Sequence, residues 1–524
     1  MDEFDRLHGV AKRRRSQVKS LLEECYKYVL PMYERRSPSE ATKDVAPSFE
    51  ELYDATASSA AQDLASDVLN ELWPADAKPY TLELGPDSGV EPALRERVNK
   101  ELAERADAQI AAINAAGGAE GQDWYSATHE ALLDWTIAQG FLAPHMGAGT
   151  LCDVWFEHLP LTSVVSLRTN GQTSVLFRES KLRRDEILQR WPGIRLRSDL
   201  ASWSSLPSEE ECEVTEGVVR DWSRPNVEAW RTQVKVKGIS GFVHNVVEEG
   251  PGSKPFIDFA FMVANGETLG RGPAMVALPH IRVINAVTEM YLDELDMKLG
   301  GIWGYETGSF NLEQIEFKPR MIIPYEPGTK GIQRLDAQRT DGDFKNAVVM
   351  IQAAIRDVMY GFDLGPLNQT PRSATEVMER KSAGARRKSG PHHRLLAGLV
   401  TQTAQFVDWA LVRRNKLPPL ADLGIVDGKI NGRSVVVKPT SPLTRSQQLD
   451  EVLRFDRLLE IIQARFGPAA VLAAVPISQA APWLREKIGV DPRVIRESEE
   501  ISQVEQLLLT AAAQKAASPT GAPS

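Results

Sequence analysis

Gly270-Arg-Gly-Pro-Ala-Met-Val-Ala-Leu-Pro-His-Ile-Arg-Val-Ile-Asn285 opens the stretch whose reading decides the fold. Gly270 to Pro273 form a turn, and Pro273 suits a first helical position, where no backbone N–H is needed. Apart from Pro279, no breaker follows until Gly300-Gly301. Ile281, Ile284, Val287, Tyr291, Leu295 and Leu299 share one face of the predicted helix, which is ~35–40 Å long at ~1.5 Å per residue. Glu289, Asp293 and Asp296 recur at four and then three residues and line up on another face. Beyond Gly301 come short β runs: Ile302-Trp303, Ile315-Glu-Phe317 and Met321-Ile-Ile323. They are punctuated by Pro319, Pro324, Pro327, Gly328 and Gly331. A second amphipathic helix follows from about Asp343 to Tyr360, with the stripe Phe344, Val348, Ile351, Ile355 and Met359. The excursion lets the second helix return alongside the first.

Towards the N-terminus the chain reads as helical to about Asn114. Leu7 to Leu30 is one run of helix formers ending at Pro31. Phe49 to Trp73 and Pro92 to Ile113 follow, and Trp124 to Gln139 is a shorter helix stopped by Gly140. From Thr150 to about Phe261 the pattern changes to β-rich runs, with Asn170-Gly171 as a hairpin turn and a helix from Arg183 to Trp191 inserted. Towards the C-terminus, Gly361 to Arg372 is a loop, and Ser373-Ala-Thr-Glu376 has the capping-box form. A long helix then runs to about Leu417, kinked at Gly390-Pro391 and stopped by Pro418-Pro419. Its first part is basic (Arg380, Lys381, Arg386, Arg387, Lys388) and its second part apolar. Ile430 to Val437 is a short β segment. Gln447 to Leu508 is mostly helical, and the Ala/Ser/Pro/Gly tail is expected to be disordered. The class is α+β and mainly helical.

Bulk properties remove several functions. The 524 residues carry a net charge of −10, the wrong sign for a protein that grips DNA by neutralising phosphates. It does not exclude a protein that must let DNA slide, since tight phosphate contacts would slow movement. No apolar run reaches the ~18–20 residues of a membrane span, and no secretory signal is expected. Cys25, Cys152 and Cys212 lie far apart and predict neither a disulfide framework nor a zinc site. The eight histidines form no metal-binding spacing, and no Gly-x-x-x-x-Gly-Lys-Ser/Thr loop occurs, so neither an ATPase nor a bound cofactor is expected. The acidic face Glu289/Asp293/Asp296 reads as a solvated helix face, as a metal site if further ligands converge on it from elsewhere, or as a stripe that repels DNA. The run Arg380 to Lys388 reads as a solvated or inter-subunit face, or as phosphate-facing cations.

Three stretches carry a resemblance. They are Tyr26-x-Tyr28-x-x-Pro31 on the N-terminal helix, Gly270-Arg-Gly-Pro273 leading into Leu278-Pro279-x-Ile281-x-x-Ile284-Asn285, and Arg372-Ser-Ala-Thr375-Glu376-Val-Met-x-Arg380. Together and in this order, over about residues 5–510, they resemble the head-to-tail connecting proteins of short-tailed phages, a branch of the portal family. The resemblance implies a non-enzymatic, ring-forming subunit, dodecameric, at one capsid vertex. Carried onto this chain, residues 1–270 would be the wing, 271–299 and 341–361 the stem, 300–340 the clip and 362–374 the tunnel loop. Residues 375–444 would hold the long wing helix and a return β segment, 445–515 the crown, and 516–524 the tail. It further implies Glu289, Asp293 and Asp296 facing a DNA channel, and Leu367, Asn368 and Gln369 in a loop that closes on DNA. Arg380, Lys381, Arg386, Arg387 and Lys388 would contact DNA or a neighbouring subunit. Trp303, Tyr305 and Phe310 would contact the terminase large subunit or a tail adaptor. Capsid and scaffold proteins are further implied partners, and the location would be the virion, with assembly in the host cytoplasm. The competing readings are a ring-forming virion adaptor without DNA passage, a metal-dependent nuclease or motor, and a sequence-specific DNA-binding protein.

Overall fold

The chain begins with two short helices, not one. In the computed structural model α1 (Glu3–Ser16) and α2 (Lys19–Val29) are separated at Gln17 and Val18. The continuous helix expected from Leu7 to Leu30 fails because its two halves bury their apolar faces in different places. Phe4 and Ala11 of α1 pack on a sheet, whereas Leu22, Cys25, Tyr26 and Val29 of α2 enter the main core. The structure describes residues 2–33, 52–74, 78–91, 94–117, 121–147, 152–196, 203, 210–223, 227–300, 302–304, 333–335, 341–359, 390–425, 429–430, 434–440 and 442–466, with 475–477, 480, 481, 483, 484, 501, 504 and 506.

After α2 come α3 (Thr56–Leu72), β1 (Tyr80–Leu84), α4 (Arg95–Asn114) and α5 (Trp124–Ile137). Asp54 accepts the Thr56 N–H (2.9 Å), so α3 starts several residues later than its apolar pattern. The helix expected to reach Gln139 stops at Ile137. Gly140 does not end it but lies inside β2 (Gln139–Met146). The β-rich region then holds β3 (Val154–His158), β4 (Val164–Thr169), β5 (Gln172–Arg183), α6 (Arg184–Arg190), β6 (Glu211–Arg220), β7 (Ala229–Val236), β8 (His244–Glu249) and β9 (Ile257–Ala260). Three strands form one antiparallel sheet, β3-β2-β9, and five form another, β4-β5-β6-β7-β8. Asn170 and Gly171 join β4 to β5 with φ of 53° and 79°, the left-handed pair a two-residue hairpin needs. The five-stranded sheet is covered on both faces, by α1 on one and by α6, through Ile187, over Val214, Val234 and Val236 on the other.

Next is α7 (Pro273–Gly300), the long helix predicted between the two glycine pairs, with Pro279 inside it. Of its predicted stripe, Ile281 and Ile284 are buried and Val287 and Tyr291 half-buried, while Leu295 is exposed. Strands β10 (Ile302–Gly304) and β11 (Gln333–Leu335) pair antiparallel where the β excursion leaves and returns. Helix α8 (Asp341–Val358) runs back along α7: Tyr291 and Phe344 stack at 3.9 Å and 8°. Its predicted stripe faces inward, half-buried at Phe344, Val348 and Ile351 and fully buried at Ile355 and Met359.

Residues 390–413 are helical, with a π turn at Leu396–Val400 leading into α9 (Thr401–Arg413). This segment is long and apolar enough to cross a membrane, but its most apolar 18-residue stretch is 67% buried within the protein, where it is a core helix. It ends at Arg413, earlier than the expected Leu417. Asn415 adopts φ 58°, the Asn415 N–H donates to Val412 O (2.9 Å), and the Lys416 N–H to Leu411 O (2.9 Å). This is a Schellman cap, which closes the helix before Pro418 is reached. Finally β12 (Val435–Pro439) pairs with β1, and α10 (Pro442–Phe466) follows.

The Gly270-Arg-Gly-Pro273 motif has a packing reason. The Gly272 N–H donates to Ile137 O (2.8 Å), which pulls the start of α7 onto the end of α5. A Cβ on Gly272 would collide with the backbone of Thr136 and Ile137, and one on Gly270 would lie 2.7 Å from Ala138 O. Backbone cannot step aside as a side chain can. Gly272→Ala should therefore destabilise the subunit by about 1–3 kcal/mol. Gly9→Ala, in α1 where the added methyl meets nothing, is the control and should stabilise slightly. Thermal unfolding of the two variants checks this.

Candidate functional site

Helix α7 presents three faces. The buried face holds Ala277, Ile281 and Ile284 against the core, which also takes in Ile355 of α8 and Met359 just beyond it. A second face carries Val276, Val283 and Met290, seven residues apart, which are 54%, 49% and 69% exposed. Helix α8 adds Val349 and Met350, also exposed. Seven residues nearly complete two turns, so the three α7 side chains stack in one line. Apolar side chains aligned on a helix and left in water are the pattern of a surface that meets another protein. The predicted stripe of α7 was the inward face, and this outward one was overlooked. Its seven-residue spacing was the available signal.

Glu289, Asp293 and Asp296 form the third face, roughly a third of a turn from the outward apolar line at ~100° per residue. All three are exposed. Tyr53 Oη donates to Glu289 Oε1 (3.1 Å), so the top of the stripe touches the segment before α3. Asn285 fixes that segment: its Oδ1 accepts the N–H groups of Tyr53 (2.8 Å) and Asp54 (3.2 Å), and its Nδ2 donates to Ile281 O (2.8 Å). Gln352 of α8 donates to Asp54 Oδ2 (2.9 Å). The α7–α8 pair is thereby tied to the α3 region by buried or half-buried polar contacts.

Trp303 lies on β10, opposite Arg334 of β11. Tyr305, Phe310, Leu367, Asn368, Gln369, Arg380, Lys381, Arg386, Arg387 and Lys388 lie outside the described residues, as does the Ser373–Glu376 capping box. Among the described residues no group of three or more His, Cys, Asp or Glu side chains is arranged to hold a metal ion.

Two buried polar networks hold the body that carries α7. In the first, His158 of β3 sits between two carboxylates, with Nε2 3.0 Å from Asp134 Oδ2 and Nδ1 3.1 Å from Glu130 Oε2. Asp134 also accepts from Tyr26 Oη (2.7 Å) and from the Leu161 N–H (2.8 Å), and Arg15 Nη2 donates to Leu161 O (2.9 Å). Burial by itself would lower the His158 pKa. The hydrogen bonds to Asp134 and Glu130, and then their charges, outweigh it and raise the pKa to about 9. The folded value is above the unfolded one of about 6.5, so the contribution is complete below about pH 6.5 and lost as pH rises through about 9. The thermal midpoint should fall between about pH 7 and about pH 9, and His158→Gln should remove most of that slope. Equal slopes in the two proteins would reject the linkage.

In the second network, Arg105 of α4 chelates Asp408 of α9 through Nε to Oδ1 (2.5 Å) and Nη2 to Oδ2 (2.9 Å). Arg105 Nη1 donates to Pro418 O (2.6 Å), Gln109 Nε2 to Asp408 Oδ1 (2.7 Å), and Tyr80 Oη to Gln109 Oε1 (2.9 Å). Burial, and then the negative charge of Asp408, push the Tyr80 pKa well up, so its hydroxyl stays a donor. Neither network was read from the sequence, because bonded members lie up to 313 residues apart.

No curated protein matches the chain significantly. Two solved structures are similar to it at low identity, each covering 79% of this chain and 86% of its own. One, the virion of a native gene transfer agent particle, has 10% identity and a TM-score of 0.38. The other, the neck of an empty particle of that type computed with C6 symmetry, has 12% identity and a TM-score of 0.38. The family model of the bacteriophage head to tail connecting protein matches residues 2–495. That range takes in both sheets, the α7–α8 pair and the buried helix leading into α9. The chain therefore belongs to the bacteriophage head to tail connecting protein family.

Proposed function

We propose that this connector is a portal: a subunit of a closed ring through which double-stranded DNA enters and leaves the phage head, and to which the tail is joined. The observation that carries the reading is the outward line Val276, Val283 and Met290 on α7 with Val349 and Met350 on α8. Such a line is unfavourable on an isolated chain and is buried when identical helix pairs stack side by side. Contacts between unlike faces of identical subunits close into a ring when the rotation per subunit divides a full turn. Helices α7 and α8 are then the stem, residues 300–340 the clip and 362–374 the tunnel loop, and the ring is a dodecamer in the virion.

Within that ring Glu289, Asp293 and Asp296 face the lumen, where negative charge keeps phosphates off the wall. DNA that must slide gains nothing from tight phosphate contacts, and the net charge of −10 fits this role. Arg380, Lys381, Arg386, Arg387 and Lys388 supply weak contacts to DNA or to a neighbouring subunit. Trp303, Tyr305 and Phe310 meet the terminase or the tail adaptor. No catalytic step is assigned to the protein.

Mass measurement of the purified assembly, with electron microscopy of its projection, tests the proposal. The expected result is an annulus of about twelve subunits with an axial channel. A monomer, or a ring with no channel, would overturn it. Deleting residues 365–370 should leave ring mass unchanged and reduce the DNA retained in packaged heads. Unchanged retention would reject a DNA-holding role for Leu367, Asn368 and Gln369.

A further inference from the structure

Arg15 stands in the last turn of α1, just before the break at Gln17 and Val18. Its Nη2 donates to Leu161 O (2.9 Å), but its Nη1 is buried and has no acceptor among the described residues. The carboxylate that attracts the guanidinium, Asp134, is reached only through Leu161, whose N–H donates to Asp134 Oδ2 (2.8 Å). Asp134 is itself engaged by Tyr26 and His158. Burial outweighs the attraction of Tyr26 and Asp134 and lowers the Arg15 pKa. The side chain remains charged at neutral pH, yet the protein does not fully match its charge. A buried guanidinium N–H without an acceptor is costly, and an ion or a water that accepts from it removes that cost.

Arg15 lines a small cavity together with Phe141 of β2, Val164 and Ser166 of β4, and Thr268, just ahead of the Gly270 turn. Ser166 is only 9% exposed, and its hydroxyl has no hydrogen-bond partner among the described residues. The hydroxyl of the half-buried Thr268 has none there either. Among the described residues Arg15 is the one charged side chain in the lining, and no carboxylate takes part. The cavity has room for one water-sized particle, which excludes sulfate, phosphate and carboxylate ligands. A water would accept from Nη1 but would then have to place two hydrogens of its own. A monatomic anion only accepts, which suits a guanidinium and two hydroxyls, each able to donate.

We propose that this cavity binds a single halide ion, chloride under ordinary conditions, held by Arg15 Nη1 and the hydroxyls of Ser166 and Thr268. The ion ties the end of α1 to β2, β4 and the turn that starts α7, and it does so in a monomer or a ring alike. Thermal unfolding of the full chain is measured at fixed pH and fixed ionic strength while sodium gluconate, whose anion is too large for the cavity, is exchanged for sodium chloride. Screening is then the same throughout. A ligand that binds the folded state alone raises the midpoint with its concentration, so chloride should give a rise of a few degrees. Ser166→Ala should shift that rise to severalfold higher chloride, and Arg15→Gln should abolish it. In crystals grown with bromide in place of chloride, an anomalous peak is expected beside Arg15 Nη1. Equal midpoints in the two salts, or a chloride rise that survives unchanged in Ser166→Ala and Arg15→Gln, would overturn the site. So would a cavity that holds water with no anomalous signal. Bromide there without any chloride-dependent midpoint would mark an adventitious ion only, and likewise overturns it.

Discussion

Replacing Asp408 with alanine should cost the subunit about 3–5 kcal/mol, the largest single-residue loss of stability expected here. The Arg105 and Asp408 side chains are only 3% and 11% exposed. The guanidinium would keep its bond to Pro418 O but lose both carboxylate contacts, and Gln109 would lose its acceptor. A charge left in the core without its counter-charge is the costly case, because burying the two ions was already expensive and only their mutual attraction offset it. Arg105→Met combined with Asp408→Leu removes both charges and should recover much of the loss. Denaturant midpoints of the wild type, Asp408→Ala and the double variant measure this. A single variant within about 1 kcal/mol of the wild type would show that water reaches the pair and screens it. The network joins α4, β1, α9 and the turn at Pro418, so its failure should also lower soluble yield.

The second large effect concerns assembly and leaves the folded subunit intact. Met290→Glu places a charge on the most exposed of the three α7 side chains in the outward line, which is 69% exposed. In the single chain the change should be close to neutral. In the ring it removes burial worth ~1.5–3 kcal/mol for a methionine and adds a carboxylate to an apolar contact. At about 1.4 kcal/mol per factor of ten, each interface should weaken at least about 100-fold. Sedimentation or mass photometry should then show monomer where the wild type shows ring, with an unchanged circular dichroism spectrum. Val283→Glu, two turns earlier on the same line, should behave alike. A full ring from both variants would remove the α7 line from the interface.

The sequence by itself determined the class and the central pattern. Two glycine pairs bounding a breaker-poor apolar stretch dictate α7, since local propensity and a 3.6-residue repeat act within one segment and need no distant partner. The Asn170-Gly171 turn and the inward stripe of α8 were legible for the same reason. Element ends were read less well. Leu7 to Leu30 looked continuous because both halves favour helix, and only their separate docking sites part them at Gln17. The alternating Tyr80-Thr-Leu-Glu-Leu84 was overlooked as a strand. It is completed by Val435–Pro439, more than 350 residues away.

Of the candidate site, the acidic stripe on α7 was visible as spacing, while its distance from the outward apolar line was not. Exposure is a property of what packs against a helix, and the same methionine or valine pattern serves a core or an interface. The choice between them was made by the tertiary structure, which turned Ile281 and Ile284 inward and left Val283 and Met290 in solvent. The charge pairs that hold the body together were likewise decided in three dimensions. Arg105 and Asp408, or His158, Glu130 and Asp134, become partners only when folding removes the water between them, and no local rule of sequence describes that event.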